Sequence, residues 1–149
     1  MTARTRMLAL RTLTVVAAAG CSDGGDAPTL GGGPAALVTF AFRAHPQDTL
    51  VVEVRDTASA RRAREYVATG RGPHIPSGWI VRGAGADPRY PFHFTPGSVR
   101  LAEATIELCD GAPMRTAAAV DQYMRGATGQ QAPDSARWCP WSAYPVAVR

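Results

Sequence analysis

Short runs of alternating apolar and polar residues fill the chain from about residue 37 to its end, separated by turns rich in glycine and proline. Such alternation is typical of β-strands, whereas apolar residues three or four positions apart indicate a helix. These patterns predict strands at 37–42, 50–54, 78–82, 92–94, 99–109 and 143–148, and helices at 57–69 and from about 110–113 to 125.

Capping residues define the first predicted helix. Asp56 or Thr57 can accept hydrogen bonds from the free N–H groups of its first turn. Gly70 can close it, because glycine adopts the left-handed conformation at little steric cost. Further along, the turn at 95–98 predicts a hairpin whose second arm is the long strand 99–109.

The predicted elements follow the order β-β-α-β-β-β-α-β. This mixture favours an α+β fold: a single small domain with a mainly antiparallel sheet and two helices. The range 37–149 is long enough for one such domain.

The first 20 residues have the layout of an export signal, in which arginines precede a short apolar run and then small residues. The apolar run is too short to span a membrane, which needs about 20 apolar residues. Cleavage after Ala19 fits the rule for ordinary signal peptides and would give a soluble secreted protein. The segment 18–21 also resembles a bacterial lipobox, where cleavage precedes Cys21 and the thiol is acylated.

Cysteine parity favours the acylated form. An exported chain with three thiols would keep one reactive cysteine, whereas lipidation of Cys21 leaves Cys109 and Cys139 to form one disulfide. Acyl chains on Cys21 would hold the protein at a membrane. We therefore expect a signal peptide at 1–20, a lipid-anchored flexible tether at 21–36 and the α+β domain at 37–149.

A catalytic thiol is the competing interpretation of the two remaining cysteines, with a histidine as its base. Neither Cys109 nor Cys139 begins a helix in a glycine-rich setting that would lower its pKa. The disulfide is therefore the favoured prediction, closing a loop of about 31 residues.

Charge gives little support to a nucleic-acid partner. The whole chain has a formal net charge of +4, but three of its 16 arginines lie in the leader. The remaining 13 arginines and 12 acids leave a net charge of +1. A nucleic-acid-binding domain should keep a basic face after processing, so no nucleic acid is expected.

No catalytic or metal-binding motif stands out. On a strand, Glu103 and Glu107 would lie about 13 Å apart, beyond the roughly 5 to 9.5 Å of glycosidase carboxylates. The three histidines are too widely spaced to form a metal-ligand pattern. No phosphate loop, nucleophile elbow or dinucleotide fingerprint occurs. We therefore expect no metal and no cofactor.

Aromatic residues and one histidine are the candidate ligand-binding residues. On a strand, His93 points away from its neighbours Phe92 and Phe94, towards solvent or a groove if those two face the core. The predicted ligand-binding residues are Trp79, Tyr90, His93 and Trp141. The predicted function is a membrane-anchored binding module of the cell envelope, with an unidentified envelope or extracellular ligand.

Two alternatives stay open. A small hydrolase could use His93 together with Glu103 or Asp110. A protease inhibitor could present the proline-containing loop 83–91 on a domain held rigid by its disulfide.

Three segments resemble a known family: "HIPSGWIV" at 74–81, "YPFHFTPGSVRLAEATIELCDG" at 90–111 and "WCPWS" at 138–142. In this order they are similar to the N-terminal domain family of cAMP-inducible prespore proteins, over roughly residues 50–145. Two positions depart from the family pattern, Tyr90 and Thr95, where a tryptophan and an acid stand in the family. The resemblance implies a fold and a disulfide more than an activity, because the family is functionally uncharacterised.

Overall fold

The computed structural model describes residues 35–126 and 134–149, except for the side chain of Glu107. The predicted signal peptide, with Cys21, and nearly all of the predicted tether lie outside the described residues. The strands are β1 (Ala36–Phe42), β2 (His45–Val54), β3 (Ile75–Arg82), β4 (Phe92–Phe94), β5 (Arg100–Ala102), β6 (Ser135–Trp138) and β7 (Ala143–Val148). The helices are α1 (Thr57–Thr69) and α2 (Ala117–Gly126), and a short 3-10 turn covers Glu107–Cys109.

The first sheet has three antiparallel strands in the order β2-β1-β7. Alternate residues of the central strand β1 are buried, namely Ala36, Val38, Phe40 and Phe42. Phe40 pairs with Leu50 of β2 on one side and with Pro145 of β7 on the other. One face of this sheet therefore supplies much of the hydrophobic core.

The second sheet has four strands, and β3 lies at its centre. All three partner strands pair with β3 antiparallel: β4 with its residues 80–82, β5 with 75–77 and β6 with 78–81. Its buried aromatic residues join the same core cluster as the first sheet. Within that cluster the Trp138 ring lies 5.1 Å from the ring of Phe92 and 5.6 Å from that of Phe94.

Helix α1 packs beside β7 and also contacts β5, so it bridges the two sheets. The Asp56 side chain accepts a hydrogen bond from the Ser59 N–H at 2.8 Å, and Gly70 closes the helix at φ 68°. The helix buries Ala60, Ala63 and Tyr66. The predicted bounds of this helix are confirmed.

The α+β class, the single small domain, its antiparallel strands, its two helices and the Cys109–Cys139 disulfide are confirmed. The strands form two sheets, and one short strand, β6, was not predicted. The first residues of β2 and β3 also extend the predicted strands 50–54 and 78–82.

The predicted long strand 99–109 is wrong, and so is the hairpin that included it. Strand β5 ends at Ala102, which pairs with Ile75, the first residue of β3. The ladder has no further β3 residue to pair with beyond this point, and the chain continues in loops to the 3-10 turn. Both β4 and β5 pair with β3 rather than with each other.

Helix α2 begins later than predicted, at Ala117 rather than at 110–113. The Thr116 hydroxyl accepts a hydrogen bond from the Ala119 N–H at 3.2 Å, which makes Thr116 the capping residue. Within the described part of the chain, no helix is long and apolar enough to cross a membrane.

Candidate ligand-binding face

The four predicted ligand-binding residues occupy three different environments. Trp79 and His93 are half-buried on the second sheet. Tyr90 is only 1% exposed and belongs to the core. Trp141 is 37% exposed and follows the disulfide residue Cys139 by two positions. The structure therefore brings two of the four together on one sheet.

Trp79 and His93 share the outer face of the second sheet. Gly78 and Ile80 are buried, so the intervening Trp79 points the other way. His93 pairs with Val81, two residues beyond Trp79 on the same face. Trp79 itself pairs with Arg137 of β6. We call the outward-pointing group Trp79, Val81, His93 and Arg137 the outer face.

A hydrogen bond fixes the orientation of His93. Its Nδ1 lies 2.9 Å from the carbonyl oxygen of Gly83. Because a carbonyl can only accept, Nδ1 carries the proton and donates. The Nε2 atom has no protein partner among the described residues and is left to accept from a ligand.

The loop after β3 packs directly on His93. A Cβ atom added at Gly85 would lie 2.3 Å from the His93 Cβ. Any side chain at residue 85 would force the loop away from the imidazole. Gly85 therefore permits the close approach that holds His93 in place.

Arg137 completes the outer face and was missed from the sequence. Its guanidinium donates to the Ser77 hydroxyl at 3.0 Å. It forms no ion pair with any carboxylate whose position the structure describes. The alternation in Ser-Ala-Arg-Trp, with Ala136 and Trp138 buried, was the signal that would have placed Arg137 outwards.

The disulfide borders the outer face at one end. Cys109 and Cys139 have Cα atoms 5.1 Å apart, are 3% and 0% exposed, and pack with Ile75 in a cluster separate from the main core. Ile75 and Trp79 lie on the same face of β3 because their positions differ by an even number. Trp141 sits at this border, where its backbone N–H donates to Asp110 at 2.8 Å.

Tyr90 is held by a cluster of charged residues that joins the loop 83–91 to β2. Its hydroxyl donates to the Thr49 carbonyl at 3.0 Å. The guanidinium carbons of Arg89 and Arg115 lie 5.9 and 5.5 Å from its ring centre. Each arginine also pairs with a buried aspartate, Arg89 with Asp87 and Arg115 with Asp48.

Electrostatic shifts follow from this packing. Hydrogen bonds from Arg89 hold the pKa of Asp87 below its ordinary value, and backbone N–H groups of Val51 and Arg89 act in the same direction, although burial opposes them. Burial raises the pKa of the Tyr90 hydroxyl. We call Tyr90, Arg89, Arg115, Asp87 and Asp48 the Tyr90 cluster; its polar groups are occupied by one another.

Catalytic partners do not meet in the structure. No hydrogen bond or ion pair joins His93 to Glu103 or Asp110, and the Asp110 carboxylate is occupied by the Trp141 N–H. Both domain cysteines are in the disulfide. In the described ranges, no three His, Cys, Asp or Glu residues are grouped so that they could hold a metal ion.

A family model for the N-terminal domain of the cAMP-inducible prespore proteins matches residues 36–148. The chain belongs to this family. The match runs from the first residue of β1 to the last residue of β7, so the family's N-terminal domain corresponds to the whole described fold. The family resemblance of the sequence is confirmed. No curated protein and no solved structure matches the chain.

The three signature segments converge in this prespore-protein N-terminal domain. Residues 74–81 form most of β3, residues 90–111 include β4 and β5, and residues 138–142 include the second disulfide cysteine. All three therefore contribute to the second sheet and its border.

Proposed function

We propose that the protein is an exported binding module of the cell envelope, held at the membrane by acylated Cys21. The leader and the lipobox-like segment 18–21 support export. The disulfide adds support, because disulfides persist in oxidising compartments. It also uses two of the three cysteines and leaves Cys21 as the one for lipidation.

Ligand binding is assigned to the outer face. The observation that carries the assignment is the combination, on one sheet face, of a half-buried tryptophan, an arginine without an acidic partner among the described residues and a histidine whose Nε2 can accept. Aromatic and arginine side chains dominate binding energy at protein surfaces. Ser77 and Gly83 hold the arginine and the histidine in place, which reduces the entropy lost on binding.

Trp141 extends this surface towards the disulfide. Its ring is exposed, while its backbone is fixed by Asp110. Tyr90 contributes indirectly, because its cluster anchors the same loop, 83–91, whose first residues pack on His93.

The ligand surface is tested with immobilised mature protein and a detergent-solubilised envelope fraction from the source cells. We expect Trp79→Ala, His93→Ala and Arg137→Gln to lose the retained ligand. Leu37→Ala is the matched control, because Leu37 is similarly exposed but lies on the first sheet. Trp141→Ala shows whether the surface extends to the disulfide. Unchanged binding by all three outer-face variants would refute the assignment.

The membrane anchor is tested by the intact mass of the natively expressed protein. An acylated Cys21 adds the mass of its acyl chains, and Cys21→Ala should release the protein from the membrane fraction. A mature chain that begins at Gly20 without added mass would instead establish the soluble secreted form.

A further inference from the structure

A second pocket lies beside the C-terminal half of α1, away from the residues of the outer face. It is an open pocket of about 800 Å³. Its lining comes from the turn after β1, the end of α1 and strand β7: Arg43, Tyr66, Val67, Gly70, Tyr144, Pro145 and Val146. We call it the Arg43 pocket.

Arg43 is held in a fixed position at this pocket. Its backbone N–H donates to the Ser142 carbonyl at 2.8 Å. Its guanidinium donates to the Tyr66 hydroxyl at 2.7 Å and lies 4.7 Å above the centre of the Tyr144 ring. The cation is therefore positioned before any ligand arrives, which lowers the entropy cost of binding.

The fixed polar side-chain groups at this pocket are donors without an acceptor. Arg43 forms no ion pair within the described part of the chain, and one of its five N–H donors is used by Tyr66. The Tyr66 hydroxyl accepts that bond, so its own hydrogen remains to be donated, although Tyr66 is only 8% exposed. A positive charge with spare donors calls for an anionic acceptor.

The walls of the pocket are apolar. Val67 and Val146 are 44% and 42% exposed, among the most exposed large apolar side chains of the domain. Pro145 and the Tyr144 ring complete this surface. A ligand that fills the pocket therefore needs an apolar body next to its charged group.

We propose that the Arg43 pocket binds a carboxylate attached to an aromatic or aliphatic group. The planar guanidinium fork matches the two oxygens of a carboxylate. The C-terminal carbonyls of α1 near Gly70 carry partial negative charge and disfavour a dianion such as phosphate. This site is independent of the outer face, so either assignment can fail without the other.

The test is a titration of the mature protein with benzoate at constant ionic strength, followed by NMR at the Arg43 Nε–H and the Tyr144 ring. We expect saturable binding with a Kd on the order of 1 mM. Arg43→Gln should weaken it at least about tenfold, and Tyr66→Phe by about threefold, since a hydrogen bond to a charged group is lost. Arg64→Gln removes an equal charge from the exposed side of α1 and should leave the Kd unchanged.

Two further probes decide the chemistry. Benzyl alcohol has the same apolar body without the charge and should bind at least about tenfold more weakly than benzoate, and inorganic phosphate should not displace benzoate. Equal binding of the alcohol, displacement by phosphate, or equal loss of affinity in the Arg64 and Arg43 variants would overturn the proposal. If Arg43→Gln unfolds, the Tyr66→Phe variant supplies the same comparison.

Discussion

The Tyr90 cluster and the Arg43 pocket combine arginine with tyrosine in opposite ways. In the Tyr90 cluster, Arg89 and Arg115 lie near one buried ring, and each is paired with a buried aspartate. In the Arg43 pocket, Arg43 lies closer to its ring, at 4.7 Å, but has no acidic partner among the described residues. The acid therefore distinguishes an arginine that holds the fold together from one that is available to a ligand.

The comparison predicts its largest effect at the two tyrosines. Tyr90→Ala removes a fully buried ring, and we expect it to lower the free energy of unfolding by about 3–5 kcal/mol, the range for large buried aromatic residues. Tyr144→Ala, at a half-buried ring, should cost about 1 kcal/mol. Urea denaturation of both variants measures the difference, and equal losses would show that both clusters are structural.

The next largest effect is expected at Asp87. The Asp87→Asn change leaves Arg89 and the Val51 N–H without their charged acceptor, and should cost about 1–3 kcal/mol at about pH 7. Asp134→Asn is the control, because this carboxylate is 88% exposed and also pairs with an arginine, Arg82. It should change stability by no more than about 0.5 kcal/mol. A similar loss in both variants would argue against a special role for the buried acid.

The same carboxylate predicts a pH dependence. The pKa of Asp87 is lower in the folded protein than its ordinary value of 3.8, so the unfolded chain binds its proton first as the pH falls. The stability that this group contributes is fully present above that ordinary value and is lost as the pH falls through the lower folded pKa. Unfolding free energies measured from about pH 6 to about pH 2 should therefore fall less steeply for Asp87→Asn than for the wild type. Parallel curves would contradict the assignment.

The smallest effect on stability is expected at Arg43. Since this guanidinium pairs with no buried carboxylate among the described residues, Arg43→Gln should change the free energy of unfolding by only about 0.5 kcal/mol. Arg115→Gln should cost clearly more, because it strands the buried Asp48. Thermal unfolding of the pair orders the two arginines, and the reverse order would remove the distinction between them.

Local signals in the sequence were enough for helix α1. Its cap at Asp56, its buried alanines and its closing Gly70 lie within one short segment and act on neighbouring backbone groups. Strand β4 was also found, because the buried Phe92 and Phe94 flank His93 at a period of two.

Errors arose where a strand depended on a distant partner. Residues 103–109 carry a strand-like pattern, but β3 begins at Ile75 and offers nothing beyond Ala102 for them to pair with. Strand β6 was missed because its four residues gain their role only by pairing with β3. Arg137 was lost from the predicted site for the same reason.

The sequence alone determined the α+β class, the family and the pair of cysteines, because capping, alternation and the signature segments are local features of the chain. Only the tertiary structure decided which polar groups are occupied. Tyr90 looked like a ligand-binding residue until Asp48 and Asp87 surrounded it with paired arginines. Arg43 and Tyr66 are 23 residues apart, and no local spacing predicts their contact. Whether a charge is satisfied depends on residues that folding brings to it.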